Sequence, residues 1–121
     1  MILFADEETR MALFSRKPSV KDLSPADVAR GLTEGKIMLV DVREPAETAV
    51  TGYPDAVLMP LSQFDPSALP DPGDKQVVFA CGSGKRSTAA SLTAQEAGLP
   101  YDAHLEGGMK AWKDAGLPTK S

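Results

Sequence analysis

The stretch Phe79-Ala80-Cys81-Gly82-Ser83-Gly84-Lys85-Arg86-Ser87 decides how this chain is read. It runs from the end of an apolar segment, through a cysteine and a turn holding two glycines, to two cations and an alanine-rich segment. A strand, a turn and a helix produce this pattern, and open α/β sheets place their sites at the carboxyl ends of strands. Gly82 and Gly84 tolerate positive φ and close approach, so the turn can fold its backbone N–H groups inward around one point. Those donors, the positive end of the following helix, and the cations Lys85 and Arg86 all favour a thiolate at Cys81 over the thiol. A cysteine after an apolar strand is also commonly a small buried hydrophobe. An inert buried cysteine has no need of an anion-binding turn, and for that reason Cys81 is taken as a nucleophile.

Two other loops have a similar look. A nucleotide P-loop needs Ser or Thr directly after its lysine and a glycine five positions before its second glycine. Arg86 and Phe79 stand at those places. A cysteine phosphatase or arsenate reductase loop places its arginine six positions past the cysteine, wide enough for a tetrahedral phosphate, whereas Arg86 lies five past Cys81. The tighter ring suits a sulfur atom carried on the cysteine.

On the amino-terminal side of the loop, Val77-Val78-Phe79-Ala80, Ala56-Val57-Leu58-Met59 and Ile37-Met38-Leu39-Val40 are short continuous apolar runs, the pattern of buried parallel strands. Ser24-Pro25-Ala26-Asp27 reads as an N-cap with proline at the first helical position, and Val28 and Leu32 give an apolar i, i+4 pair before Gly35. Residues 64–75, with Pro66, Pro70, Pro72 and Gly73, read as a surface connection. On the carboxyl side, Ser87 to Ala97 reads as a helix stopped by Gly98, residues 101–105 as the last strand, and Met109 to Ala115 as a short helix ended by Gly116 and Pro118. The sum is a small α/β domain with a mostly parallel sheet.

The 121 residues suffice for one core, and 42% hydrophobic with 25% charged residues is the balance of a chain that folds in water. A net charge of −4 disfavours nucleic acid as a partner, because phosphate backbones select basic surfaces. No apolar run approaches the roughly 18–20 residues of a membrane span, and Asp6, Glu7 and Glu8 interrupt the place of a signal peptide. One cysteine forms no internal disulfide and suits a reducing compartment, so the expected location is cytoplasmic. One cysteine and one histidine make no zinc site, so no metal is expected. Residues 1–19 read as an N-terminal extension whose apolar positions fall at helical spacing, either packed on the domain, mobile, or docking a partner or second subunit.

Cys81 to Ser87 resembles the loop of single-domain rhodaneses, with a cysteine, a six-residue loop ending in arginine, and a helix after it. Leu39-Val40-Asp41-Val42-Arg43-Glu44 with Glu47 resembles that family's strand-and-turn element, and Leu105-Glu106-Gly107-Gly108-Met109-Lys110-Ala111-Trp112 with Ala115-Gly116-Leu117-Pro118 resembles its closing signature. The resemblance runs from about Val20 to Pro118. It implies a rhodanese-like fold over residues 20–121, with helices on both faces of the sheet, and a thiosulfate sulfurtransferase. Cys81 would carry sulfur as a persulfide, and Gly82, Ser83, Gly84, Lys85, Arg86 and Ser87 would bind the substrate. The donor would be thiosulfate-like and the acceptor cyanide, a thiol or a partner protein, with no cofactor. Where the family has a Gly-His-Ile-x-Gly-Ala turn, this chain reads Thr51-Gly52-Tyr53-Pro54-Asp55-Ala56, without the histidine and the second glycine.

Asp41 and Arg43, at a strand end, are expected to support the site through a salt bridge or turn hydrogen bond, with Glu47 as a partner for Arg43. His104 is expected to be structural or on the surface, and Trp112 to pack in the core. The alternatives to a transferase are a non-catalytic rhodanese-like binding module, a sulfide or persulfide sensor, and a cysteine phosphatase or arsenate reductase.

Overall fold

The computed structural model describes residues 18–121, so the helix or docking segment expected near the N-terminus lies outside the described residues. Among the described residues, five strands form one sheet: β1 (Lys21–Leu23), β2 (Ile37–Asp41), β3 (Val57–Leu58), β4 (Gln76–Ala80) and β5 (Ala103–Leu105). The spatial order is β1-β5-β4-β2-β3, and every pairing is parallel. The expected mostly parallel sheet is thus wholly parallel in its five strands. Its helices are α1 (Pro25–Thr33), α2 (Pro45–Thr48), α3 (Lys85–Glu96) and α4 (Gly108–Asp114). No helix among the described residues is long and apolar enough to cross a membrane.

Local chemistry explains these elements. Ser24 caps α1 by accepting the Asp27 N–H on its Oγ at 3.1 Å, with Pro25 in the first turn where no N–H is needed. Residues that alternate along β2 and β4 point to opposite faces, and both faces are covered. Leu39, Val78 and Ala80, with Ala103 and Leu105 of β5, meet Val28 of α1, Met109 and Trp112 of α4, and Tyr53. Val40, Val77 and Phe79 meet Ala90 and Ala94 of α3, together with Leu61, Phe64 and Leu69 of the long connection. The helices therefore lie on both faces, as expected. Phe79 is fully buried, worth about 1.5–3 kcal/mol, and Phe64 and Tyr101 meet its ring edge-on at 5.6 and 6.4 Å.

The structure adds and moves a few boundaries. The strand β1 and the one-turn helix α2 were not anticipated from the sequence. The helix α3 starts at Lys85 rather than Ser87, because Gly84 takes the capping position with φ of 104°. The connection over residues 64–75 holds a short 3₁₀ turn at Pro66–Ala68, and its Phe64 and Leu69 pack into the core instead of lying free on the surface.

Candidate functional site

Strand β4 ends at Ala80 and delivers Cys81 to the amino end of α3, a helix of 12 residues. Gly84 N–H donates to the Cys81 sulfur at 3.1 Å and Ser87 N–H at 3.3 Å, while Ser87 Oγ lies 3.5 Å from it. Gly84 makes this inward turn because its φ of 104° is closed to most side chains. Burial pushes the Cys81 thiol pKa up. Hydrogen bonding at Ser87 and from the amides of Gly84 and Ser83 outweighs burial, so the net direction is below the ordinary thiol value. Cys81 is fully covered, with Ser83 and Lys85 exposed on the outer side of the loop.

The loop is held from below by its own carbonyls. Cys81 C=O accepts from the Met109 N–H at 2.8 Å and from the Tyr53 hydroxyl at 2.6 Å, and Gly82 C=O accepts from the Lys110 N–H at 3.3 Å. The first N–H groups of α4, which have no partner inside their own helix, thus find one in the loop. Tyr53 directly follows Gly52, which stands where the family turn has its histidine. It is buried, stacks edge-on against Trp112 at 5.5 Å, and has the Arg43 guanidinium 5.3 Å above its ring. Burial and the Asp41 carboxylate both push the Tyr53 hydroxyl pKa up, which keeps it a donor. Asp55 takes a φ of 54°, the left-handed conformation that a glycine takes without cost and that Asp tolerates among L residues. The altered turn therefore keeps a glycine-like backbone at Asp55 and gains a hydrogen bond from Tyr53 to the loop.

Asp41 and Arg43 form a buried pair beneath this layer, and the expected supporting salt bridge is present between the two of them. Arg43 Nε donates to Asp41 Oδ1 at 3.1 Å and Nη2 to Oδ2 at 2.8 Å, while Nη2 also donates to Thr51 C=O at 2.7 Å. The expectation that Glu47 pairs with Arg43 is corrected. Glu47 stands in α2 at the third helical position, where it faces the loop and binds Arg86 in a bidentate pair at 2.6 and 2.9 Å. The hydrogen bond from Arg86 holds the Glu47 pKa at about 2, so the pair stays ionised through weak acid. The Arg86 charge is consequently occupied by Glu47. Lys85, on the outer side, has no ion-pair partner among the described residues.

Of the two places expected for His104, the interior and the surface, it takes the interior, and its nearness to the loop was missed. It is buried behind the loop, with Nδ1 2.8 Å from Ser87 Oγ and Nε2 2.6 Å from Asp22 Oδ1. The alternation Ala103-His104-Leu105 is the signal that sets His104 on the opposite face from its apolar neighbours, the face covered by α3. Trp112 is core packing, as its position suggests.

The Rhodanese-like domain family matches residues 24–115. An uncharacterized protein of Synechocystis is 41% identical over 97 residues, covering 80% of this chain, which spans 54% of that relative's length. A protein of Allochromatium vinosum named sulfurtransferase is 38% identical over 82 residues, covering 68% of this chain and 77% of its own. Among solved structures, a Rhodopseudomonas palustris protein of unknown function, described as a possible tyrosine phosphatase, superposes with a TM-score of 0.72. Its identity is 35%, over 84% of this chain and 85% of its own. With the parallel sheet, the loop after β4 and a family match over most of its length, the chain belongs to the rhodanese-like family.

Proposed function

We propose that the protein is a sulfurtransferase that carries sulfane sulfur as a persulfide on Cys81. The observation that carries this reading is the convergence of the Gly84 and Ser87 N–H groups on the Cys81 sulfur at the start of α3. Donors placed there favour an anion at that one atom, which is the state of both the attacking thiolate and the bound persulfide. The Cys81 thiolate attacks the outer sulfur of thiosulfate. The new S–S bond forms as the old one breaks, and sulfite leaves with the electron pair. Cyanide or a thiolate then attacks the outer sulfur of the persulfide, takes it, and releases the Cys81 thiolate. Each half keeps its charge balance, and the pair of displacements predicts ping-pong kinetics. Small shifts of the loop, of the kind surface loops make in nanoseconds to microseconds, admit the donor to the covered sulfur.

A phosphatase reading is less well supported by the same geometry. A phosphoryl group needs a free cationic cradle, and the loop guanidinium is already bound by Glu47. The cation left for an anionic donor is Lys85. Lys85→Ala is expected to raise the KM for thiosulfate about fivefold at low ionic strength, the scale of one screened charge contact. The effect should shrink with added salt and leave the acceptor half-reaction unchanged, which steady-state kinetics at two salt concentrations checks. A lone thiol that works as a thiolate suits a reducing compartment such as the cytoplasm.

The test of the reading is intact mass after brief thiosulfate exposure, before and after cyanide. The wild type is expected to gain one sulfur atom and lose it to cyanide, whereas Cys81→Ser gains none. Loading of the serine variant would sink the reading. An unloaded wild type would shift the choice to a binding or sensing module of the same fold.

A further inference from the structure

The Ser87 hydroxyl has one proton and three partners within reach: His104 Nδ1 at 2.8 Å, the Gly84 carbonyl at 3.1 Å and the Cys81 sulfur at 3.5 Å, which donates to Ser87 Oγ as a thiol and can only accept once it is a thiolate. The direction of that proton matters, because a hydroxyl donor to the sulfur holds the anion more tightly and blunts its reactivity. The ring of His104 is fixed from both sides. In the sheet, β1 sets Asp22 beside His104 in register, and the Asp22 carboxylate takes the proton of Nε2 at 2.6 Å. A carboxylate only accepts, so a neutral ring bound to it carries its proton on Nε2 and leaves Nδ1 bare. Nδ1 then accepts from Ser87, the shortest of the three contacts.

We propose that His104, oriented by Asp22, is a positioning residue that draws the Ser87 hydroxyl proton away from the Cys81 sulfur. The sulfur is then held by backbone N–H groups alone, stable as an anion yet free to attack and to give up its outer sulfur. The groups that face the ring are few. Among the described residues, Asp22 comes from β1, the uncharged Ser87 and Thr88 hydroxyls from α3, with Thr88 Oγ1 3.5 Å from Nδ1, and Gly84 lies on the loop side, where a Cβ would come within 3.5 Å of His104 Cε1. A ring protonated on both nitrogens would donate to Ser87 and return its proton to the sulfur, so the neutral ring is the one that keeps the sulfur reactive. The sequence places these residues far apart, and the parallel pairing of β1 with β5 brings them together.

The inference rests on Cys81 as the sulfur carrier, yet it is testable without turnover. The readout is the ultraviolet absorbance of the Cys81 thiolate in reduced, unloaded protein, titrated from neutral pH upward. His104→Leu removes the acceptor and frees the Ser87 proton for the thiolate. The thiol-to-thiolate midpoint is expected to fall by about one pH unit, tenfold in the thiolate ratio, the scale of a hydrogen bond to a charged group. In a Ser87→Ala background the same substitution is expected to change nothing. Asp22→Asn, at a side chain that is 59% exposed, is expected to move the midpoint the same way by less, because an amide can donate to Nε2 and let Nδ1 carry the proton. An unmoved or raised midpoint, or a fall that survives in Ser87→Ala, overturns the proposal. Sulfur loading followed by mass in the same proteins separates the two ideas. A wild type that never loads, with the Ser87-dependent shift intact, removes the sulfurtransferase reading and leaves the positioning role; normal loading without the shift does the reverse.

Discussion

Gly108→Ala is expected to lower sulfur loading of Cys81 by about 100-fold while also weakening the fold, because a methyl group at this position has nowhere to go. A Cβ on Gly108 would lie 2.5 Å from the Gly82 carbonyl carbon and 2.6 Å from both the Cys81 and Gly82 carbonyl oxygens. Each contact is about 1 Å short of ordinary van der Waals separation. The atoms in the way are loop backbone, so they cannot rotate aside as a side chain can. Gly108 also has a φ of 61°, which costs an L residue about 1–2 kcal/mol, and overpacking adds about 1–3 kcal/mol. Against a total stability of roughly 5–15 kcal/mol the variant is weakened but can fold. Relief must come from pushing the loop off α4, which strains the Met109 and Lys110 hydrogen bonds that hold the Cys81 and Gly82 carbonyls. A displacement near 1 Å at a reacting atom costs about 100-fold in rate. Gly107→Ala is the control: its Cβ would meet the Ala111 methyl on its own helix at 2.5 Å, not the loop. It is expected to lose stability with a much smaller loss of loading per folded molecule. Thermal melts and mass-detected loading below both midpoints check the pair, and wild-type loading by Gly108→Ala would show that the α4 contact does not set the loop.

The parts of the fold legible in the sequence are those whose signals are local. Val77 to Ala80 announces a buried strand, Ser24-Pro25 starts a helix, and Cys81 to Ser87 carries a strand end, a glycine turn and a helix start within nine residues of Phe79. What was not legible depends on which strand lies beside which. The strand β1 has only Leu23 as an apolar residue, and it exists because β5 pairs with it, with Lys21 N–H bonded to the Asp102 carbonyl at 2.7 Å. Arg43 has Asp41 two residues before it and Glu47 four after, and spacing alone does not choose between them. The choice is made by α2, which turns Glu47 over the loop toward Arg86. The role of Tyr53 was not legible, since its hydroxyl meets the Cys81 carbonyl across 28 positions of chain. In the same way, His104 becomes a neighbour of the loop only through β5 and α3 packing face to face. The nucleophile candidate was local information, and its supporting layer was tertiary.

Arg43→Met is expected to be the most destabilising single change in that supporting layer, costing about 3–5 kcal/mol by leaving a buried charge without its partner. The Asp41 side chain is fully buried and that of Arg43 is 5% exposed, so no water takes over the guanidinium's role. Asp41 sits at the end of β2, locked in the sheet by the Met59 N–H bonded to its carbonyl at 3.0 Å, and cannot turn its carboxylate out to solvent. The Thr51 carbonyl loses its donor at the same time, and Tyr53 loses the cation over its ring. For a domain of this size the loss lowers the melting midpoint by at least about 10 °C. The source of the cost can be isolated with a second substitution. Asp41→Asn together with Arg43→Met removes the charge and keeps an acceptor for the residue 43 N–H, which Asp41 Oδ1 receives at 3.0 Å. The double variant is expected to be more stable than Arg43→Met alone, because the penalty belongs to the unpaired carboxylate and not to the missing arginine. If the double variant melts no higher than the single one, the unpaired carboxylate is not the source and the cost lies in the Thr51 and Tyr53 contacts that both variants lose. In that case the pair's contribution is to the turn beneath the loop, and loading by the folded protein should fall with it.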